Sequence, residues 1–206
     1  MFKTLFFLGA IQRCEYEQLG LLKNKKSILV IGGGTGKIIH QIEARCEFDV
    51  LAYVDSSKKM IASAQAHISR AHPELLDKVE FYTEDIQTFV PSRTYDAVLT
   101  PFVLDCFTEE QLLDLGPKTL SWLSSDGIWL FSDFSTSSNS GVSRVFSLVM
   151  TTFLYLVFKL IANLKIVSLP DFENFFKQLP LKLIEERTFF LGVLSCKAYR
   201  KISSNS

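Results

Sequence analysis

Four glycines crowd into residues 32–36, namely Gly32, Gly33, Gly34 and Gly36, between the β-branched run 28–31 and a stretch of helical period over 36–46. Glycines between a strand and a helix permit positive φ and let the backbone come close to a ligand. A Walker A loop would need Gly at 31 and Ser or Thr at 38, and both positions are Ile, so that reading fails. The dinucleotide pattern G-x-G-x-x-G would need Gly at 37, which is Lys37, so it fails in part. What remains is G-x-G-x-G with Thr35 inside it. Asp55 follows 19 residues after Gly36. An acid there can accept from both hydroxyls of a ribose; the plain alternative is a helix cap from Asp55 or Ser56. Asp85, in Thr83-Glu84-Asp85-Ile86, can reach an adenine amino group with Ile86 on the ring face, or can serve as a turn acid. Asp105 and Asp133 lie past two later strand candidates and can orient or deprotonate a substrate, or act as caps or ion-pair partners.

These residues need a scaffold, and the hydropathy pattern supplies one. Strand-length apolar runs at 28–31, 48–54, 79–82, 95–100 and 127–131 alternate with helical stretches at 36–46, 58–71 and 109–123, the last expected to break near Gly116-Pro117. Strands without polar alternation, separated by helices, predict a parallel sheet covered on both faces. Every acid and glycine singled out then falls at the carboxyl edge, where open α/β sheets bind ligands. After a Ser-rich loop at 135–143 come an apolar helix at 145–162, a short helix at 172–177, and runs at 181–190 and 193–199 that read as a hairpin around Leu191-Gly192.

Length and composition bound the alternatives. The 206 residues fit one domain, with a helical cap over 1–24 and a helical insertion over 135–178, and 48% hydrophobic residues suffice for a core without disulfides. Lys plus Arg and Asp plus Glu each total 22, so no net basic charge points to nucleic acid. Cys14, Cys46, Cys106 and Cys196 stand far apart with no C-x-x-C pair, which favours reduced thiols and a cytoplasmic setting. The start, 1–12, reads as an amphipathic helix rather than a signal peptide. His67 and His72, five residues apart, share no helix face, and His40 reads as a solvated helix residue, so no metal site is expected. The 145–162 helix is apolar nearly all round but short of a bilayer span, which leaves a lid, a dimer contact, a membrane-surface anchor or an ordinary buried helix.

Over 25–134 the sequence resembles the class I S-adenosylmethionine-dependent methyltransferases. Val30-Ile31-Gly32-Gly33-Gly34-Thr35-Gly36-Lys37 resembles the motif that holds the methionine moiety, and Tyr53-Val54-Asp55-Ser56-Ser57-Lys58-Lys59-Met60 the ribose segment. Thr83-Glu84-Asp85-Ile86 is similar to the adenine segment, with Ile86 where the family commonly has Ala. Tyr95-Asp96-Ala97-Val98-Leu99-Thr100 resembles the fourth strand, and Asp126-Gly127-Ile128-Trp129-Leu130 the turn into the fifth. The resemblance implies a Rossmann-like, doubly wound sheet of seven strands in the order 3-2-1-4-5-7-6 with the last strand antiparallel. It implies S-adenosylmethionine as cofactor, held by Ile31, Gly32, Gly33, Gly34, Thr35, Gly36, Asp55, Ser56, Met60, Asp85, Ile86 and Thr100. It further implies a small-molecule methyl acceptor near Phe102 and Asp105, with Tyr155 of the apolar helix lining an apolar or aromatic pocket. Tyr16 of the opening segment is expected in packing rather than over the cofactor. The competing readings are a nicotinamide-dependent oxidoreductase and a non-catalytic adenosylmethionine-binding protein.

Overall fold

The computed structural model describes residues 2–134, 170–189 and 192–202. A first helix, α1 (Phe2–Glu17), runs into a 3-10 turn at Gln18–Leu22. The alternating units follow as β1 (Ser27–Ile31), α2 (Lys37–Glu43), β2 (Val50–Val54), α3 (Lys58–Ala71), β3 (Val79–Tyr82), β4 (Tyr95–Pro101), α4 (Glu109–Trp122) and β5 (Leu123–Phe134). The chain closes with α5 (Phe172–Lys177), β6 (Leu181–Phe189) and β7 (Leu194–Lys201). The seven strands form one sheet in the order β3-β2-β1-β4-β5-β7-β6. Pairings from β3 through β5 are parallel, while β7 runs antiparallel to both β5 and β6. The parallel part is the one expected from the apolar runs, and the strand order with its antiparallel last strand is the one the family resemblance implies.

Residue alternation along the strands divides the core into two layers. Ile28, Val30, Leu51, Tyr53, Ala97, Leu99, Ile128 and Leu130 face α2 and α3. Leu29, Ile31, Ala52, Val54, Val98, Trp129 and Phe131 face α4 and α5. A strand buried on both sides has no polar positions to spare, which is why these runs lack alternation in sequence.

Three details depart from the sequence reading. The helix α4 does not break at Gly116-Pro117; it continues from Glu109 to Trp122 behind a Thr108–Gln111 capping box. Pro117 and Leu113 sit on the exposed side, so the Leu113 carbonyl that loses its helical donor faces solvent. Gly116 faces inward, where an added Cβ would stand 2.8 Å from the Phe175 ring. Strand β5 extends beyond 127–131 at both ends because Leu123 already pairs with Tyr95. Of the insertion expected over 135–178, the described end, α5, is a core element. Phe172 and Phe176 pack on Phe131, and Phe176 stacks on Tyr199 at 4.3 Å. The apolar stretch 145–162, with Tyr155, lies outside the described residues.

Candidate functional site

The glycine loop is set by the packing beneath it. Gly32 has φ +69°, donates its N–H to the Val54 carbonyl at 2.9 Å, and would place a Cβ 2.5 Å from Val103. A Cβ on Gly33 would fall 2.5 Å from the Tyr53 hydroxyl. That hydroxyl, fully buried on β2, donates to the Gly34 carbonyl at 3.1 Å and so anchors the loop from below. Gly34 itself has φ +64° and no atom within 4 Å of an added Cβ, so its outer side is open. Gly36, at φ +83°, begins α2. The loop is thus close-packed underneath and clear above, as a backbone cradle for a ligand must be. Tyr53 and Val103 were missed in the sequence because nothing in their spacing marks them; an aromatic inside a strand reads as core.

Asp55 ends β2 at the same edge, half-buried. Its Oδ1 accepts the Ser57 N–H at 2.8 Å, and burial raises its pKa. Neither Asp55 nor Ser56 caps α3: Ser57 does, accepting the Met60 N–H at 3.4 Å. The competing explanation for Asp55 therefore falls to a neighbour. Ser56 and Thr35 are exposed and Met60 is half-buried. Asp85 is exposed past β3, with Oδ1 accepting from the Gln87 N–H at 2.9 Å, while Ile86 is turned into the core at 5% exposure. Ile31 is likewise buried.

Thr100 departs from the expected set. It is 1% exposed and its Oγ1 accepts from Trp129 Nε1 at 2.9 Å. A buried indole N–H needs an acceptor, and this hydroxyl supplies it, so the side chain serves the core and not the cradle.

Beyond β4 the chain turns sharply. Phe102 has φ +49°, an unusual value for a bulky residue, held by its N–H donating to the Ser132 carbonyl at 2.7 Å and by ring contact with Phe134 at 5.7 Å. Asp133 is fully buried. Its Oδ1 accepts the Phe134 N–H at 2.9 Å and its Oδ2 the Asp105 N–H at 3.2 Å. Burial, then the nearby Asp105 carboxyl, push its pKa well up. Asp133 is therefore a strut for the 102–106 turn rather than a surface acid. Asp105 is partly exposed, raised by burial, and accepts from Cys106 Sγ at 3.6 Å.

A small cavity opens between α1 and the carboxyl halves of β4 and β5. Leu19, Ile38, Leu99, Pro101 and Leu130 form its apolar walls, with Glu15, Gln18 and Ser132 as polar groups. Burial raises Glu15 to about 7 against the opposing pull of Lys37. Tyr16 packs against the core beside it. Glu15 carried no signal in the sequence, since helix α1 is brought to the sheet only by tertiary packing.

The histidines also behave otherwise than expected. His40 is half-buried and stacks on His72 with ring centroids 4.4 Å apart. Their separation in sequence hid a meeting across two helices.

Residues 28–127 match a family model described as a methyltransferase domain. A search of curated proteins gave no match. Among solved structures the chain is similar to the N-methyltransferase NodS from Bradyrhizobium japonicum WM9 in complex with S-adenosyl-l-homocysteine. The identity there is 15% and the TM-score 0.65, over 93% of this chain and 88% of that one. It is also similar to magnesium protoporphyrin IX methyltransferase (ChlM) from Synechocystis PCC 6803 with bound SAM, at 14% identity and TM-score 0.63, over 94% and 80% of the two chains. An O-methyltransferase family protein from Burkholderia thailandensis aligns at 16% identity and TM-score 0.71 over 95% of this chain, which spans 56% of that protein. Likeness at such identities speaks for the fold. Among the described residues no helix is long and apolar enough to cross a membrane.

Proposed function

Residues 28–127 form a methyltransferase domain of the class I fold, and from that premise we propose that the chain transfers a methyl group from S-adenosylmethionine to a small acceptor with an apolar or aromatic body. One observation carries the reading: the close-packed glycine cradle, open at Gly34, shares the sheet's carboxyl edge with the half-buried carboxyl of Asp55. The fit to the cofactor is good on these grounds. Gly32, Gly33, Gly34, Thr35 and Gly36 would take the methionine end, Asp55 with Ser56 and Met60 the ribose, and Asp85 the adenine amino group. Ile31 and Ile86 would support them from the core. Asp55, Asp85 and Asp105 gather at one edge, and that field favours a cationic ligand over a pyrophosphate, which supports the sulfonium over a nicotinamide dinucleotide.

The cofactor supplies an electrophilic methyl group on a positively charged sulfur. The protein's part is to hold the acceptor in line with it and to keep water away, and positioning of this kind accounts for much of the rate in bimolecular transfer. An apolar acceptor body would lie against the Phe102–Asp105 turn, at the edge adjoining the small cavity under α1. Asp105 orients the acceptor's polar group, and Asp133 holds Asp105 in place through its backbone. A carboxyl raised to about 7 makes Glu15 a proton acceptor matched to neutral pH where the acceptor has an O–H or N–H to lose.

Calorimetry of the full chain with S-adenosylmethionine, S-adenosylhomocysteine and NAD, repeated on Asp55→Ala, tests the reading. Micromolar binding of both adenosyl ligands, lost in the variant, is the expected result. Binding of NAD in preference to them, or of none, refutes it.

A further inference from the structure

A cluster of ligating side chains lies away from the cradle and plays no part in the proposed transfer. Helices α2 and α3 pack side by side on one face of the sheet. Both run back from the carboxyl edge, so their C-terminal ends lie near the opposite, amino edge. There His40 and Glu43, three positions apart on α2, meet His72, the residue that ends α3. One ligand atom from each of the three lies within 4.8 Å of the others. All three side chains are partly buried, and the His40 and His72 rings lie nearly parallel, at 23°.

Two features of this cluster need explaining. His40 Nδ1 is closed off from solvent and has no hydrogen-bond partner, although a buried polar nitrogen without one costs about 1–3 kcal/mol. Two imidazoles are also brought face to face beside two carboxylates, Glu43 and Glu74, the latter 3.3 Å from His72 Nδ1. A divalent cation would take the unpaired nitrogen as a ligand and balance the carboxylate charge, once His72 turns out of the stack so that the in-plane lone pairs of the two rings converge.

We propose that His40, Glu43 and His72 form a metal site that staples α2 to α3, selective for Zn²⁺ or a similar borderline ion, with Glu74 orienting the His72 ring through Nδ1. Imidazole nitrogens with carboxylate oxygens suit Zn²⁺, whereas Mg²⁺ and Ca²⁺ prefer all-oxygen sets. Ligands about 2.0–2.2 Å from one tetrahedral ion stand roughly 3.4 Å apart, so the cluster must draw inward on binding. Rotation of the Glu43 and His72 side chains, each partly open to solvent, supplies that movement. The ion would tie the helix that leaves the glycine loop to its neighbour on the same face. The site does not depend on the proposed methyl transfer.

The test is titration of the full chain, free of any affinity tag, with ZnCl2 by calorimetry and with CoCl2 by visible absorption. The expected result is one ion per chain at micromolar or tighter affinity. Tetrahedral Co²⁺ bands should appear without a thiolate charge-transfer band, together with a rise of several degrees in Tm. Glu43→Gln, at a partly exposed position, and His72→Ala should each weaken binding at least tenfold and abolish the Tm rise. Circular dichroism without metal checks that both variants fold. No stoichiometric binding, a thiolate band, or undiminished affinity in Glu43→Gln and His72→Ala each overturns the proposal.

Discussion

Glu15→Gln separates the two consequences of placing a carboxyl against the sheet. Burial holds Glu15 at about 7, up from its ordinary 4.5. A carboxyl raised that far costs the folded state about 3 kcal/mol at most when charged, at about 1.4 kcal/mol per pH unit. Solvent reaches part of the side chain, so about 1–3 kcal/mol is expected. Between pH 4.5 and 7 the native state binds more protons than the unfolded chain. Stability of the parent therefore falls as pH rises through that window and the deficit is constant above it. The glutamine cannot ionise and escapes the penalty. Urea denaturation from pH 4 to 8.5 should show the two proteins equal at the acid end, with the variant ahead by about 1–3 kcal/mol at pH 8. Turnover with an acceptor that must lose a proton should fall in the same variant. Parallel stability curves across the whole range would refute the placement of Glu15.

The cradle and its supports make further tests. Gly33→Ala forces a methyl to 2.5 Å from the Tyr53 hydroxyl; loss of the Tyr53–Gly34 hydrogen bond should weaken S-adenosylhomocysteine binding at least tenfold by calorimetry. Thr100→Val strands the Trp129 N–H, so thermal denaturation should show a loss of about 1–3 kcal/mol, while cofactor affinity stays within twofold. Asp133→Ala leaves the N–H groups of Phe134 and Asp105 without their carboxylate acceptor, and a loss of about 2–4 kcal/mol is expected in denaturant. An unchanged stability in that variant would remove Asp133 as the strut of the turn.

Much of this protein is written locally. Strands buried on both faces must be almost wholly apolar, so the runs 28–31 and 50–54 declared themselves without reference to the rest of the chain. A cradle that needs positive φ and bare backbone must be glycine, so Gly32, Gly34 and Gly36 marked the loop, and an acid at the next strand end marked Asp55. These are constraints on single residues or short runs, so they can be read along the chain. What depends on residues distant in the chain emerges only from packing. The position of Thr100 at a strand end points to the ligand, but Trp129 on the adjacent strand donates to its hydroxyl. Pro117 stays inside a helix because it and Leu113 lie on the exposed side, where water can serve the Leu113 carbonyl that loses its donor. Tyr53, Glu15 and the His40–His72 pair acquired their roles from what packs over or under them. Partners separated by tens of residues leave no spacing to read, since burial, a shifted pKa and an unpaired nitrogen are properties of the neighbourhood and not of the residue.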